Sequence, residues 1–113
     1  MLEVSGHAGG KISIPCFGSW TTDESSEHNR MYFCRGVCNS KNTLIKTEMK
    51  KSAATRQGRY SMEYDGGDGV FTVTIRRLRT VDAGRYHCEV ERTFNASYQE
   101  VSLKVLDGKL LVR

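Results

Sequence analysis

Apolar and polar side chains alternate in short runs along most of this chain. Ile12, Ile14 and Cys16 alternate with Lys11, Ser13 and Pro15, giving that segment one apolar face and one polar face. A period of two marks an extended strand with one side buried. The same period returns at Met31 and Phe33, which alternate with Tyr32 and Cys34, and at Tyr60, Met62 and Tyr64. It recurs in Phe71, Val73 and Ile75, in Tyr86, Cys88 and Val90, and in Val101, Leu103 and Val105. Leu44 and Ile45 mark another strand after the turn residues 38–42, and the basic stretch 46–58 fits a short edge strand with a loop. Lysines on such an edge discourage pairing with another chain. Pro15 has no N–H to give to a ladder, so a bulge or an unpaired position is expected there. Residues 18–30 read as one long polar connection, and Asp65-Gly66-Gly67-Asp68-Gly69 as a tight turn. About eight or nine short strands, with a single helical turn near Thr80-Val81-Asp82, predict an all-β sandwich.

At 113 residues the chain is one domain with room for one core. Its four cysteines, an even number, point to an oxidising compartment and two bridges, with the pairing still open. The net charge of +4 is modest and no nucleic-acid recognition motif accompanies it, so nucleic acid is not an expected partner. No apolar run has the length of a signal peptide or a membrane span. If the bridges form, the native precursor enters the secretory route by a segment outside this sequence. Met1 then reads as an added start, residues 1–106 as one domain, and 107–113 as the beginning of a stalk or linker.

The segment Asp82-Ala83-Gly84-Arg85-Tyr86-His87-Cys88 narrows the sandwich further. A tyrosine two positions before a cysteine, with Cys16 far upstream, is the mark of an immunoglobulin-type fold. There the bridge joins the two sheets and the tyrosine hydroxyl anchors a corner to backbone. Cys16 and Cys88 fall on apolar faces of separate strands, where an inter-sheet bridge belongs. Closing that loop removes about 4.4 kcal/mol of unfolded-chain entropy in the loop-closure model. Cys34 follows an inward Phe33 and so points away from the core; a Cys34–Cys38 bridge would pin a hairpin and contribute roughly 2 kcal/mol. A zinc site needs four converging ligands, and His7, His28 and His87 are scattered. A redox pair would have a two-residue spacer, and three residues stand here.

These motifs resemble the V-type immunoglobulin domains of the CD300, TREM, NKp44 and polymeric immunoglobulin receptor group, which includes the fish novel immunoglobulin-like transcripts. The resemblance covers residues 5–106. It rests on Met31-Tyr32-Phe33-Cys34-Arg35 with Cys38, on Gly58-Arg59-Tyr60-Ser61-Met62, on Phe71-Thr72-Val73-Thr74-Ile75, and on the corner through Cys88. It implies that Arg59 pairs with Asp82 at the bottom of the domain, where the arginine fork grips a carboxylate through two hydrogen bonds. It also places Phe33 where the group carries a core tryptophan. That change and the short Cys34-to-Cys38 spacing tilt the resemblance toward a fish or otherwise divergent member.

In a V-type domain the BC, C′C″ and FG loops gather at one end. Here they are expected at 18–30, 47–54 and 92–98. The first offers Trp20 with Asp23, Glu24 and Glu27; the second offers Lys50 and Lys51; the third offers Arg92, Phe94 and Tyr98. Aromatic loop residues are candidate anchors because they desolvate much area at low entropy cost. Lys46, Lys50, Lys51 and Arg56 form a basic set that suits phosphate head groups or sulfated glycans. Asn95-Ala96-Ser97 is an N-glycosylation acceptor, and a sugar at Asn95 would move contact toward the first two loops or the sheet face. No cofactor is expected. Calcium is the one metal to weigh, since some members of the group bind lipid with its help, yet the three loop carboxylates lack the spacing of a dedicated calcium loop.

The resemblance thus implies a ligand-binding ectodomain of an immune-type receptor that recognises a protein, an anionic lipid or a glycan. It further implies an extracellular place on a single-pass membrane protein, with the domain itself soluble and monomeric or weakly dimeric. The alternative is an immunoglobulin-transport, adhesion or structural module acting through protein contacts alone. Ser61 and His87 sit on strands with no nucleophile motif around them, so no enzyme is expected.

Overall fold

The computed structural model describes residues 1–17, 30–48, 53–64, 70–91 and 96–107. The period-two segments become strands: β1 (Leu2–His7), β2 (Ile12–Phe17), β3 (Arg30–Arg35), β4 (Thr43–Glu48) and β5 (Ala53–Gln57). β6 (Tyr60–Tyr64), β7 (Val70–Ile75), β8 (Gly84–Glu91) and β9 (Ala96–Leu106) follow, with a short 3-10 turn at Thr80–Asp82. They form a five-stranded sheet in the order β1-β9-β8-β3-β4 and a four-stranded sheet in the order β2-β7-β6-β5. All pairings are antiparallel except β1 with β9, which is parallel.

The inward positions fill the space between the sheets. Ile14, Met31, Phe33, Ile45, Met62, Phe71, Val73, Ile75, Tyr86, Val90 and Val101 are fully or almost fully buried. The Cys16–Cys88 bridge crosses this core with its Cα atoms 5.9 Å apart. Phe33 is registered opposite Cys88, and its ring stacks on Tyr86 with centroids 5.1 Å apart. That stack places an aromatic ring beside the bridge, the packing role of the strand-C tryptophan in immunoglobulin domains.

Two local expectations are refined. The β2–β7 register runs unbroken through Pro15, paired with Thr72, so no bulge is needed. β2 is an edge strand, and an edge leaves a free side for a residue without an N–H. The basic stretch 46–58 supplies two edge strands, β4 on one sheet and β5 on the other. β5 pairs with β6, and it reaches β4 through a bond from Thr55 Oγ1 to Thr47 Oγ1 at 3.1 Å.

The ladders also sort the connections by end. Arg30 is registered with both Glu48 and Glu91, Glu91 with Ala96, and Phe17 with Val70. The connections 18–29, 49–52, 65–69 and 92–95 therefore leave the same end of the sandwich. The other end, the base, carries the segments 8–11, 36–42, 58–59 and 76–83. There Gly9 N–H bonds to the Leu78 carbonyl, Leu78 N–H to Gly10, and Arg76 N–H to Arg59.

Candidate functional site

The outer face of the five-stranded sheet holds a cleft of about 590 Å³. Its walls come from the polar half of the same alternation that builds the core. On β8, Tyr86, Cys88 and Val90 face inward, leaving His87, Glu89 and Glu91 on the outer face. Tyr32 on β3 is registered between Lys46 and Glu89, so cation, phenol and carboxylate form one row across three strands. The opposite rim is the 36–42 segment, drawn onto the sheet by the Cys34–Cys38 bridge. Cys34 is fully buried yet stands apart from the inter-sheet core, as its outward direction requires.

Hydrogen bonds set these groups in place. Tyr32 donates its hydroxyl to Glu91 Oε2 at 2.6 Å, and the Cys38 N–H donates to Glu89 Oε2 at 3.0 Å. The bond to Glu91, and then burial, push the Tyr32 phenol above its ordinary range. Asn42 stiffens the rim by donating to the carbonyls of Arg35 and Val37, while Asn39 Oδ1 accepts from the N–H groups of Lys41 and Asn42. Beside the cleft His87 lies with Nδ1 3.4 Å from Glu89 Oε2 and Nε2 3.5 Å from Glu100 Oε2. Tyr98 stacks on His87 with centroids 5.2 Å apart and yet keeps 69% of its surface exposed. The stack fixes an exposed aromatic ring beside the cleft. The surface offers acceptors, one lysine and two phenols, which suits recognition.

The base is built differently. Arg59 grips Asp82 with both ends of its fork, Nη1 to Oδ2 at 2.8 Å and Nη2 to Oδ1 at 2.9 Å. The same Oδ2 accepts the Arg79 N–H at 2.8 Å, and Tyr86 donates its hydroxyl to the Asp82 carbonyl. Arg59, and then the Arg79 N–H, hold the buried Asp82 carboxyl below the usual carboxylate range. Burial pushes the Tyr86 phenol up to about 12. The corner is thus a bonded network that ties β8 to the start of β6 and to the 76–83 segment.

Several sequence-derived candidates change place. Tyr98, expected in the 92–98 loop, lies on β9, because the ladder to β8 already begins at Ala96 opposite Glu91. Lys46 lies on β4 and lines the cleft, while Arg56 lies on β5 in the other sheet. Trp20, Asp23, Glu24, Glu27, Lys50, Lys51, Arg92, Phe94 and Asn95 lie outside the described residues. Glu89, Glu91 and Tyr32 were not singled out from the sequence. Their signal was available as the outward complement of the inward set on β3 and β8.

Comparison with known proteins agrees with this architecture. The immunoglobulin V-set domain model matches residues 2–106. Mouse CMRF35-like molecule 9 is 32% identical over 109 residues, covering 95% of this chain and 31% of its own length. Human polymeric immunoglobulin receptor is 32% identical over 107 residues, covering 94% of this chain and 14% of its own length. The chain therefore spans under a third of either relative. Among solved structures, human T-cell immunoglobulin and mucin domain protein 1 superposes with a TM-score of 0.73 at 27% identity, covering 95% of this chain and 99% of that one. The NK cell receptor NKp44 superposes with a TM-score of 0.71 at 21% identity, covering 95% and 97%, a likeness of fold. The matched family is one of immunoglobulin domains, not of enzymes.

Proposed function

We propose that this chain, which belongs to the immunoglobulin V-set domain family, is the ligand-binding ectodomain of an immune-type cell-surface receptor. Its ligand is a protein, an anionic lipid or a glycan, met through the connections 18–30, 47–54 and 92–98 and the adjoining cleft. The observation that carries this reading is the cleft itself. Lys46, Tyr32 and Glu89 stand in one register row below the strand ends that those connections leave. A concave polar surface with a fixed exposed aromatic at its margin suits recognition. A structural neighbour, Tim-4, was solved in complex with phosphatidylserine, which supports testing a phospholipid first. The domain is read as extracellular, on a single-pass membrane protein, and as a monomer or weak dimer. A sugar at Asn95 would move contact toward the first two connections or the sheet face.

Similarity to polymeric immunoglobulin receptor favours one second reading, an immunoglobulin-transport or adhesion module acting only through protein contacts. The deciding experiment measures binding of the domain to phosphatidylserine vesicles, with and without chelator, and to a panel of cell-surface and polymeric proteins. Binding lost on chelation favours calcium at Asp23, Glu24 and Glu27; binding weakened by salt alone favours Lys46, Lys50 and Lys51. A protein ligand whose binding survives Lys50→Glu and Arg56→Glu, with no vesicle binding, selects the second reading. Binding unchanged by Tyr32→Ala and Lys46→Ala would remove the cleft from the account.

A further inference from the structure

The chain's arginines are unevenly placed, and the base collects a set that the ligand-binding reading leaves unused. Lys11 precedes Ile12 and Arg76 follows Ile75, and these two strand residues are a registered pair. Lys11 and Arg76 thus stand side by side at the base ends of β2 and β7, and the Arg76 N–H bonds at 2.9 Å to the carbonyl of Arg59, whose own charge is taken by Asp82. Arg77 and Arg79 come next in sequence and are exposed, as are Lys11 and Arg56. Arg56 is registered with Ser61, whose hydroxyl accepts from Arg76 Nη1 at 3.0 Å.

Few carboxylates oppose this charge. Asp82 is buried and already gripped by Arg59, and Asp107 follows β9 on the other sheet. Glu63 lies on β6 farther toward the opposite end than Ser61. Between the cations the outer face of the four-stranded sheet carries hydroxyls, with Ser13 and Thr74 bonded across the β2–β7 pair at 3.2 Å.

The backbone adds an independent sign. Arg77 has φ +50, the one non-glycine residue with positive φ among the described residues. A left-handed position is cheap for glycine or asparagine and costly for a long side chain. Arg59 holds that backbone from beneath, donating Nη1 to the carbonyls of Arg76 and Arg77 at 3.3 Å each. An exposed guanidinium kept at a strained, braced position is a mark of use at the surface.

We propose that this basic face at the base of the four-stranded sheet binds a sulfated polysaccharide of the heparin type, at a site separate from the outer-face cleft. Lys11 and Arg76 flank neighbouring strands about 4.8 Å apart, and with exposed Arg56, Arg77 and Arg79 they offer several cations to a linear chain carrying repeated oxyanions. Guanidinium forks grip oxyanions through paired hydrogen bonds, and the hydroxyls between them suit sugar hydroxyls. Among the described residues at this end of the face no aromatic is exposed for base stacking, and Val81, exposed beside Arg79, is a single small apolar contact, too little for insertion into a bilayer. A disulfide-bonded chain also meets sulfated glycans, not nucleic acid, in its compartment.

The test measures affinity for a size-defined heparin oligosaccharide in two variants that lose equal charge. Arg77→Asn with Arg79→Gln keeps the corner backbone, because asparagine tolerates the left-handed position. Lys41→Gln with Lys104→Gln removes two exposed cations on the side of the five-stranded sheet. The first pair should lose about tenfold in affinity and the second under about twofold, each with an unchanged thermal midpoint. Fully desulfated heparin should not bind. Equal losses in both pairs would show a net-charge effect and overturn the proposal. So would failure of the wild-type domain to bind heparin at about 0.15 M salt, or vesicle binding through Arg77 and Arg79 without heparin binding.

Discussion

Two disulfides sit on adjoining rows of the same sheet and do opposite work. Phe33 is registered with Cys88 and Cys34 with His87, so the bridges lie one residue apart along β3 and face opposite ways. Cys16–Cys88 joins the sheets inside the core, where apolar side chains surround it. Cys34–Cys38 lies outside the core and ties down a rim whose asparagines and backbone N–H groups face glutamate and tyrosine on the sheet. The inner region gains its stability from burial and a long closed loop. The outer region gains shape, because a small loop closed over a polar face positions groups and contributes little entropy. Side-chain direction, set by the period of two, separates the part that holds the fold from the part that meets a ligand.

The comparison breaks most sharply at the inner bridge. Cys16→Ala with Cys88→Ala should cost about 4 kcal/mol, against a total of about 5–15 kcal/mol for a domain of ordinary stability. The thermal midpoint should fall by about 15 °C or more. A loss under about 1 kcal/mol would mean that the Phe33–Tyr86 stack holds the sheets without the bridge.

Next in size is the corner. Arg59→Ala leaves the buried Asp82 carboxylate without its partner and should cost about 3 kcal/mol in urea unfolding. Arg59→Lys restores charge without the fork and should recover part of that. The pH dependence follows from the lowered pKa of Asp82. Its stabilising contribution is fully present above the ordinary carboxylate pKa and is lost as pH falls through the lower folded value. Wild-type stability should therefore decline further into acid than that of Asp82→Asn, and matching acid limbs would remove this pair from the account.

How much of this was legible in the chain differs between the two regions. The inner one was nearly all in the sequence, because alternation at Ile12–Cys16, Phe71–Ile75 and Tyr86–Val90 specifies which atoms face inward. The Arg59–Asp82 pair came from the family pattern, and its geometry has the two-point form expected of arginine and carboxylate. The outer region was less legible. A polar side chain on an exposed face has no period of its own, so Glu89 and Glu91 gain meaning only once Tyr32 and Cys38 are brought beside them. Strand ends were legible to within a few residues: Tyr98 looked like loop because sequon and aromatics blur the start of β9. The arginine face at the base was hidden for another reason, since it joins Lys11, Arg56 and Arg77 from three distant segments.

The outer bridge should behave as a shaping element. Cys34→Ser with Cys38→Ser should cost about 2 kcal/mol or less and leave the fold intact by circular dichroism. Binding of whatever ligand occupies the cleft should fall by more than that stability change requires, because Cys38 presents the N–H that orders Glu89. Stability and binding lost in proportion would make the two bridges alike and erase the distinction drawn between them.

The smallest effect sits at Tyr32, and it separates a working surface from a merely solvated one. Tyr32→Phe removes a hydroxyl bond to an exposed carboxylate, so it should cost only about 0.5 kcal/mol. Its titration is more telling than its stability. The bond to Glu91, and then burial, raise the phenol above 10.0. A raised folded pKa means that the contribution is fully present below the ordinary phenol range and is lost as pH rises through the higher value. The absorbance change on tyrosine ionisation, taken as wild type minus Tyr32→Phe, isolates this group. Its midpoint should lie above the ordinary range in the wild type and return toward it in Glu91→Ala, where the accepting oxygen is gone. A midpoint at the ordinary value in both proteins would mean that water had replaced the bond. The outer row from Lys46 to Glu89 would then be a set of independent side chains instead of a pre-ordered surface.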